Sequence, residues 1–138
     1  MNTPITISVP IHADIDTVWE AYSTPEHIKN WYAASDAWYC PNSEGIFRKW
    51  WRFSHTMASK DGSMQFDFEW TYTKIIENEL IAYQLDDDRN VQVYFIDEGP
   101  LIKVTLHFDP ESKNELSRQK QWWEAILNNF AEYCEGLE

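Results

Sequence analysis

The chain has 138 residues, and its 23 acidic and 11 basic side chains give a net charge of −12 at pH 7. This length fits a single domain, residues 1–138, whose core needs neither disulfides nor a metal. The excess of negative charge repels phosphate backbones and anionic lipids, so we expect no nucleic-acid partner and no membrane partner.

The N-terminal segment predicts a strand and shows no targeting signal. It lacks a basic region followed by an apolar run, so we expect a cytoplasmic protein. Apolar and polar residues alternate over residues 5–11, which indicates a strand with one buried face. Pro10 cannot donate a ladder hydrogen bond, so this strand either ends there or lies at a sheet edge.

Two short helices are predicted next. Asp14 or Asp16 can cap the first helix, whose apolar residues recur at helical spacing as far as Tyr22. Thr24 suits the cap of the second helix and Pro25 suits its first position, and this helix ends near residue 32.

Five further strands follow, joined by short turns, which is typical of an antiparallel meander. The clearest alternation lies in residues 64–72, where apolar side chains share one face and polar ones the other. The predicted strands are residues 46–59, 64–72, 81–85, 91–95 and 104–108, with polar turns at 60–62, 77–79, 87–90 and 99–100.

After a loop at residues 110–114, the apolar period changes to 3.6 and predicts a helix from about Glu115 to the chain end. Its apolar stripe consists of Trp123, Ile126, Leu127, Phe130, Cys134 and Leu137. A meander cannot bury its apolar face alone, so the helix should lie across it. We therefore predict an α+β fold with a curved antiparallel sheet around a long C-terminal helix, and two short helices near the N-terminus.

Several motifs match a known family pattern over nearly the whole chain. They include Val18-Trp19-Glu20-Ala21, the segment 24–31, Lys60-Asp61-Gly62-Ser63-Met64, the segment 78–83 and the helical segment 123–130. The chain thereby resembles the START-like (SRPBCC) superfamily, in the branch similar to the activator of heat-shock-protein-90 ATPase. The resemblance implies a helix-grip fold with a cavity between sheet and helix. Superfamily members commonly hold lipids, sterols, polyketides or other apolar molecules there, while others are cyclases, hydrolases or co-chaperones.

One departure from the family pattern concerns tryptophan. Aligning the neighbouring motifs puts Trp50, Trp51, Trp70 and Trp122 where the family usually has glycine. We expect these indoles to fill part of the family's cavity, so that the pocket is either small, flat and aromatic or closed. A cavity of about 1,000 Å³ or more, as in a carrier of large lipids, would contradict this expectation.

His55 and Cys40 are the candidates for enzymatic chemistry. His55 lies on the strand face opposite Ser54, which can be the cavity face, and Cys40 could meet it in space. However, the sequence shows no third group to hold such a base, no Gly-x-Ser-x-Gly elbow and no phosphate loop. Its four histidines lack metal-ligand spacing. We therefore expect no metal or other cofactor, and favour a non-enzymatic role.

We predict that the protein binds a small apolar or aromatic molecule in the cavity between sheet and C-terminal helix. Aromatic walls suit flat apolar ligands, and tyrosine hydroxyls can orient them. The predicted ligand-binding residues are Trp50, His55, Phe66, Phe68, Trp70, Tyr72, Tyr83, Trp123, Ile126 and Phe130.

Two other functions are left open by the sequence. A protein-interaction or co-chaperone role would need an exposed apolar patch, and the acidic surface would favour a basic protein partner. A cyclase-type or hydrolase-type enzyme would need a titratable group that is buried in the pocket and has a shifted pKa.

Overall fold

The fold is a curved antiparallel sheet whose concave side holds a long helix. The computed structural model describes residues 4–33, 37–45, 47–112 and 115–137. These residues form β1 (Ile5–Ile11), α1 (Ile15–Ser23), α2 (Pro25–Trp31), β2 (Trp38–Gly45), β3 (Arg52–Ser59), β4 (Gln65–Ile76), β5 (Leu80–Leu85), β6 (Asn90–Asp97), β7 (Ile102–Phe108) and α3 (Leu116–Leu137). The predicted α+β helix-grip architecture is therefore confirmed.

The strand order is β1-β7-β6-β5-β4-β3-β2, and every neighbouring pair is antiparallel. Because successive strands alternate in direction, the β3–β4 turn, the β5–β6 turn and the start of α3 lie at one end of the sheet, which we call the α3 end. The β2–β3 loop, the β4–β5 turn and the β6–β7 turn lie toward the opposite end, where α1 follows β1.

The core lies between the concave face of the sheet and α3. Trp123, Ile126, Leu127 and Phe130 of α3 are buried in one cluster with inward-facing strand residues. The predicted stripe on the terminal helix therefore faces the sheet, as the 3.6-residue period requires. No helix within the described ranges is long and apolar enough to cross a membrane.

The local start and edge signals act as expected, except that Thr24 occupies the N-cap position of α2 without a side-chain capping hydrogen bond among the described residues. The side chain of Asp14 caps α1, because its Oδ1 accepts a hydrogen bond of 2.8 Å from the Thr17 N–H. Pro25 occupies the first turn of α2. Pro10 lies inside β1, which pairs only with β7, so of the two readings the sheet edge is the correct one.

The prediction was wrong in the region of β2 and β3. We expected one strand over 46–59, but β3 begins at Arg52, residues 47–51 form a loop, and Ile46 lies outside the described residues. β2 was not predicted at all, because Pro41 and the polar residues after it are typical of a turn. The strand forms at the sheet edge, where a register shift between Tyr39 and Asn42 accommodates the proline. In the predicted 110–114 loop, residues 113–114 also lie outside the described residues, as does residue 138 at the helix end.

Candidate functional site

A pocket of about 340 Å³ opens at the α3 end of the molecule, between β4 and the first turns of α3. Its walls are aromatic and its rim carries polar and charged side chains. We call it the aromatic pocket, and its lining residues are Phe66, Phe68, Arg89, Glu111, Arg118, Gln119, Trp122 and Trp123.

Three separate elements bring these residues together. Phe66 and Phe68 share the inward face of β4, since side chains alternate along a strand. On α3, Arg118 and Gln119 lie one turn before Trp122 and Trp123, so the two pairs share a helix face. The β5–β6 turn and the loop after β7 add the rim residues, because both connections lie at the α3 end.

The aromatic walls contact one another directly. The ring centroid of Phe68 lies 6.0 Å from that of Trp122 and 6.2 Å from that of Trp123. The two indoles are perpendicular at 5.1 Å, and Phe108 supports Trp123 from the core side at 5.1 Å. Phe66 is 42% exposed and contacts Trp38 at 5.8 Å. These edge-to-face and tilted contacts hold the rings in defined orientations.

The rim of the pocket is held in place by hydrogen bonds. The side-chain amide of Gln119 accepts a bond of 2.8 Å from the Glu111 N–H and donates one of 3.0 Å to the Glu111 carbonyl. Arg89 donates to an Asp87 carboxylate oxygen at 2.7 Å. The two bonds of Gln119 join the loop after β7 to α3, so this part of the pocket is formed before a ligand arrives.

His55 lies fully buried behind the aromatic pocket. Its ring stacks on Phe68 with centroids 5.9 Å apart, and Trp70 and Tyr32 pack against it at 4.5 and 4.1 Å. Neither ring nitrogen of His55 has a hydrogen-bond partner among the described residues. Burial lowers the pKa of this imidazole to about 3, so it is neutral near pH 7.

Other buried polar groups surround His55. The hydroxyl of Tyr32 also has no partner within the described ranges, and burial raises its pKa well above the usual value. Burial raises the pKa of Tyr72, and the neighbouring indole N–H of Trp70 opposes this shift. Within the described ranges this N–H meets no acceptor in good hydrogen-bond geometry. Each orphaned buried group costs about 1–3 kcal/mol relative to a satisfied one.

Cys40 is a poor nucleophile in this fold. Its thiol is buried in β2 and donates to the Asn42 carbonyl at 3.3 Å, and burial raises its pKa to about 11. A thiol with this pKa is protonated near neutral pH, whereas nucleophilic catalysis needs the thiolate. Among the described residues, no three His, Cys, Asp or Glu side chains cluster as metal ligands.

The structure separates the predicted ligand-binding residues into three groups. Phe66, Phe68 and Trp123 line the aromatic pocket. His55, Trp70, Tyr72, Tyr83, Ile126 and Phe130 are buried in the core and do not line it. Trp50 is 67% exposed on the β2–β3 loop, away from the α3 end, so it does not line the aromatic pocket. A strand continued back to this position would also turn Trp50 outward, because it would share the face of Arg52 and Ser54.

The four tryptophans that were expected to fill the cavity lie in different places. Trp70 is 1% exposed and lies in the sheet-helix interior, stacked on Tyr83 at 4.2 Å. Trp122 is half-buried and forms a wall of the aromatic pocket. Trp50 and Trp51 project outward and fill nothing, which corrects the expectation for them. The aromatic pocket and a second, polar pocket of about 440 Å³ between α2, β2 and α3 are both far smaller than a large lipid requires.

Five lining residues were missed by the sequence analysis as ligand contacts: Arg89, Glu111, Arg118, Gln119 and Trp122. Continuing the apolar stripe of α3 back by one turn would have found Gln119, which precedes Trp123 by four positions. Arg89 and Glu111 lie in connections, and only the strand order shows that these connections adjoin the helix start.

Comparison with known proteins agrees with this architecture. The family described as "Activator of Hsp90 ATPase homolog 1-like protein" matches residues 12–135. The chain belongs to this family. The resemblance to the START-like (SRPBCC) superfamily is thereby confirmed. No curated protein matches the sequence.

Solved structures of AHSA1-like proteins superpose closely. The AHSA1-like protein from Aeromonas hydrophila is 37% identical over 97% of this chain and 96% of that chain, with a TM-score of 0.89. A protein from Cytophaga hutchinsonii is 38% identical over 96% and 92% of the two chains, with a TM-score of 0.83. The Aha1 dimer from Colwellia psychrerythraea is 12% identical over 97% of each chain, with a TM-score of 0.77, and shows a shared fold alone.

Proposed function

We propose that the protein binds a small, planar aromatic molecule in the aromatic pocket. The observation that carries this proposal is the set of four aromatic rings, Phe66, Phe68, Trp122 and Trp123, around a space of about 340 Å³. Small-molecule sites are typically concave, mostly apolar and bordered by a few polar groups. A bicyclic aromatic molecule fits this volume, and apolar burial would supply most of its affinity.

Naphthalene is a suitable probe because it carries no polar group that could bind elsewhere. In a titration followed by NMR, we expect saturable shifts of the indole N–H signals of Trp122 and Trp123. Replacing Trp122 by alanine removes one wall and should weaken naphthalene binding about tenfold, since a lost aromatic contact is worth about 1.4 kcal/mol.

Trp51→Ala is the matched control for Trp122→Ala. Trp51 is also a partly exposed indole, at 49%, but it lies on the β2–β3 loop and not in the pocket. We expect this control to bind naphthalene as the unmodified protein does. Equal weakening by both substitutions, or shifts spread over all eight indoles, would contradict a site at the aromatic pocket.

A protein-interaction role is the second candidate function, and the exposed loop before β3 favours it. Trp50 and Trp51 are 67% and 49% exposed, and tryptophan is enriched among residues that dominate interface energies. Trp50 adopts a φ of 72°, a left-handed conformation that is unusual for a bulky residue. Its N–H donates to the Tyr72 carbonyl at 2.6 Å, which holds the loop in this form.

The charges beside these indoles suggest which charge and polarity the contact surface of a partner would have. The net charge of −12 would favour a basic partner overall. The loop itself carries Arg48 and Lys49, and the Lys49 ammonium lies 5.1 Å from the Trp50 ring centroid. An acidic and apolar patch on the partner would therefore suit this contact. The family description names the ATPase of Hsp90 as a partner to test.

We expect Trp50→Gly to separate stability from partner binding. Glycine accepts the left-handed conformation, so this substitution should raise the free energy of unfolding by about 1 kcal/mol. If the loop contacts an Hsp90-type chaperone, the unmodified protein should stimulate the ATPase rate of the purified chaperone and the variant should not. An unchanged ATPase rate with the unmodified protein would exclude this candidate, and a variant as active as the unmodified protein would exclude the loop.

A further inference from the structure

We propose that the ligand of the aromatic pocket carries a hydroxyl group, which reaches His55 and Tyr32 behind the side chain of Phe68. This inference rests on the proposed function and adds the chemical class of the ligand, which is a neutral, planar aromatic alcohol.

The first observation is a pair of buried polar side chains with unused hydrogen-bonding capacity. The rings of Tyr32 and His55 lie 4.1 Å apart, and both residues are at most 1% exposed. Neither imidazole nitrogen nor the Tyr32 hydroxyl has a partner in the part of the chain that the structure describes. A neutral imidazole offers one donor and one acceptor, and a phenol offers both in one group. One ligand hydroxyl can therefore donate to His55 and accept from Tyr32.

The second observation is that Phe68 separates this pair from the aromatic pocket. Phe68 lines the pocket and is stacked on His55, with ring planes only 1° apart, and it also contacts Tyr32 at 6.1 Å. It is half-buried, since one side faces the pocket. A change of its side-chain rotamer would join the pocket to the polar pair without moving the backbone of β4.

The surroundings of His55 favour a neutral group at that point of the ligand over an anionic one. Burial keeps His55 uncharged near pH 7, so it supplies no positive charge. The titratable groups that act on Tyr32 are Tyr22, Cys40 and Tyr72, whose pKa values are all raised by burial. These groups are also uncharged near neutral pH. A carboxylate placed beside His55 would be desolvated without a cation to compensate.

The test compares 2-naphthol with 2-methylnaphthalene, which have similar shapes and differ in one hydroxyl or methyl group. A purely apolar pocket prefers the methyl compound, because its methyl group is the less well hydrated of the two. A site that hydrogen-bonds the hydroxyl reverses this order. We therefore expect calorimetric titration of the full chain to show tighter binding of 2-naphthol.

Two substitutions identify the partners of the hydroxyl. Tyr32→Phe and His55→Leu should each weaken 2-naphthol binding about tenfold, as for one lost hydrogen bond, and leave 2-methylnaphthalene binding unchanged. Tyr22→Phe is the control, since it removes another buried hydroxyl, which lies 3.4 Å from that of Tyr83. This control should leave the ratio of the two affinities unchanged.

The outcomes separate this inference from the function on which it rests. If neither probe binds, the proposed function fails and the inference fails with it. If both bind and the methyl compound is preferred, with the same ratio in all variants, the pocket binds aromatic molecules but the polar pair takes no part. Tighter 2-naphthol binding that is lost in Tyr32→Phe and His55→Leu, but not in Tyr22→Phe, supports the inference.

Discussion

The substitution His55→Leu is expected to make the protein more resistant to acid. Between pH 7 and pH 4, the free energy of unfolding should fall by about 3 kcal/mol less in this variant than in the unmodified chain. The imidazole is fully buried without a hydrogen-bond partner in the described residues, so protonation inside the fold is strongly unfavourable. Leucine has a similar volume and no proton to bind. The measurement is urea unfolding of both proteins at pH 7 and pH 4.

The sign follows from the two pKa values of His55. In the unfolded chain the imidazole has an ordinary pKa near 6.5, whereas burial lowers the pKa in the fold to about 3. Below pH 6.5 the unfolded state therefore binds a proton that the folded state does not, and stability is lost as the pH falls toward 3. At pH 4 this loss amounts to about 3 kcal/mol, since one pH unit corresponds to 1.36 kcal/mol.

The comparison between the two proteins isolates this histidine from the other acid-sensitive groups. Carboxylates whose pKa is lowered in the fold, such as those of Asp61 and Asp86, also make the protein less stable in acid. They contribute equally to both proteins, so their contributions cancel in the difference between the two pH responses. An equal response of His55→Leu and the unmodified chain would mean that water or another group reaches His55.

Much of the fold could be predicted because most elements present one apolar face to a single core. The period of two in β4 and the period of 3.6 in α3 each determine a face, and the two faces can be buried only against one another. β2 lacked such a signal. It is an edge strand with a proline and a register shift, and it forms by pairing with β3. Such a pairing between distant residues leaves little signal in the local sequence pattern.

The pocket could be predicted only in part, for a related reason. Phe66, Phe68 and Trp123 lie on the two periodic faces, and the sequence therefore indicates them. Packing decides which part of such a face is closed into the core and which part opens into a pocket. For example, Trp70 fills the space beside Tyr83. Apolar and polar residues alternate in the same way in the closed part of the face and in the open part. The rim residue Arg89 comes from a turn, and only the assembled sheet brings that turn to the start of α3.

Trp50 shows that the alternation of side chains along a strand has to be applied to every residue of a functional assignment. A strand continued back from Arg52 would place Trp50 on the outer face with Arg52 and Ser54, since Phe53 and His55 are the buried residues of β3. The actual chain leaves the strand at this point with a φ of 72° at Trp50, which turns the indole to solvent. The aromatic composition is thus divided between an inner set that closes the core and an outer pair that is accessible to a partner.

We expect Trp70→Ala to lower the free energy of unfolding by about 4 kcal/mol and to enlarge the ligand cavity. Trp70 is 1% exposed and is stacked between Phe53 at 5.3 Å and Tyr83 at 4.2 Å. Removing a buried indole loses its transfer free energy and leaves a cavity that the neighbouring rings cannot fill completely. The measurement is urea unfolding, combined with the affinity for 2-methylnaphthalene, which should increase because the cavity is apolar.

The contrast with Trp51→Ala tests whether position or residue type causes this effect. Trp51 is half-exposed, so its replacement should cost less than about 1 kcal/mol and should not change binding of the probe. A cost for Trp70→Ala as small as that for Trp51→Ala would mean that the core collapses around the missing indole, and that Trp70 does not limit the cavity. A large cost with no gain in binding would mean that the new space is closed to the pocket. Only lost stability together with tighter binding supports the view that Trp70 stabilises the core and at the same time reduces the cavity volume open to a ligand.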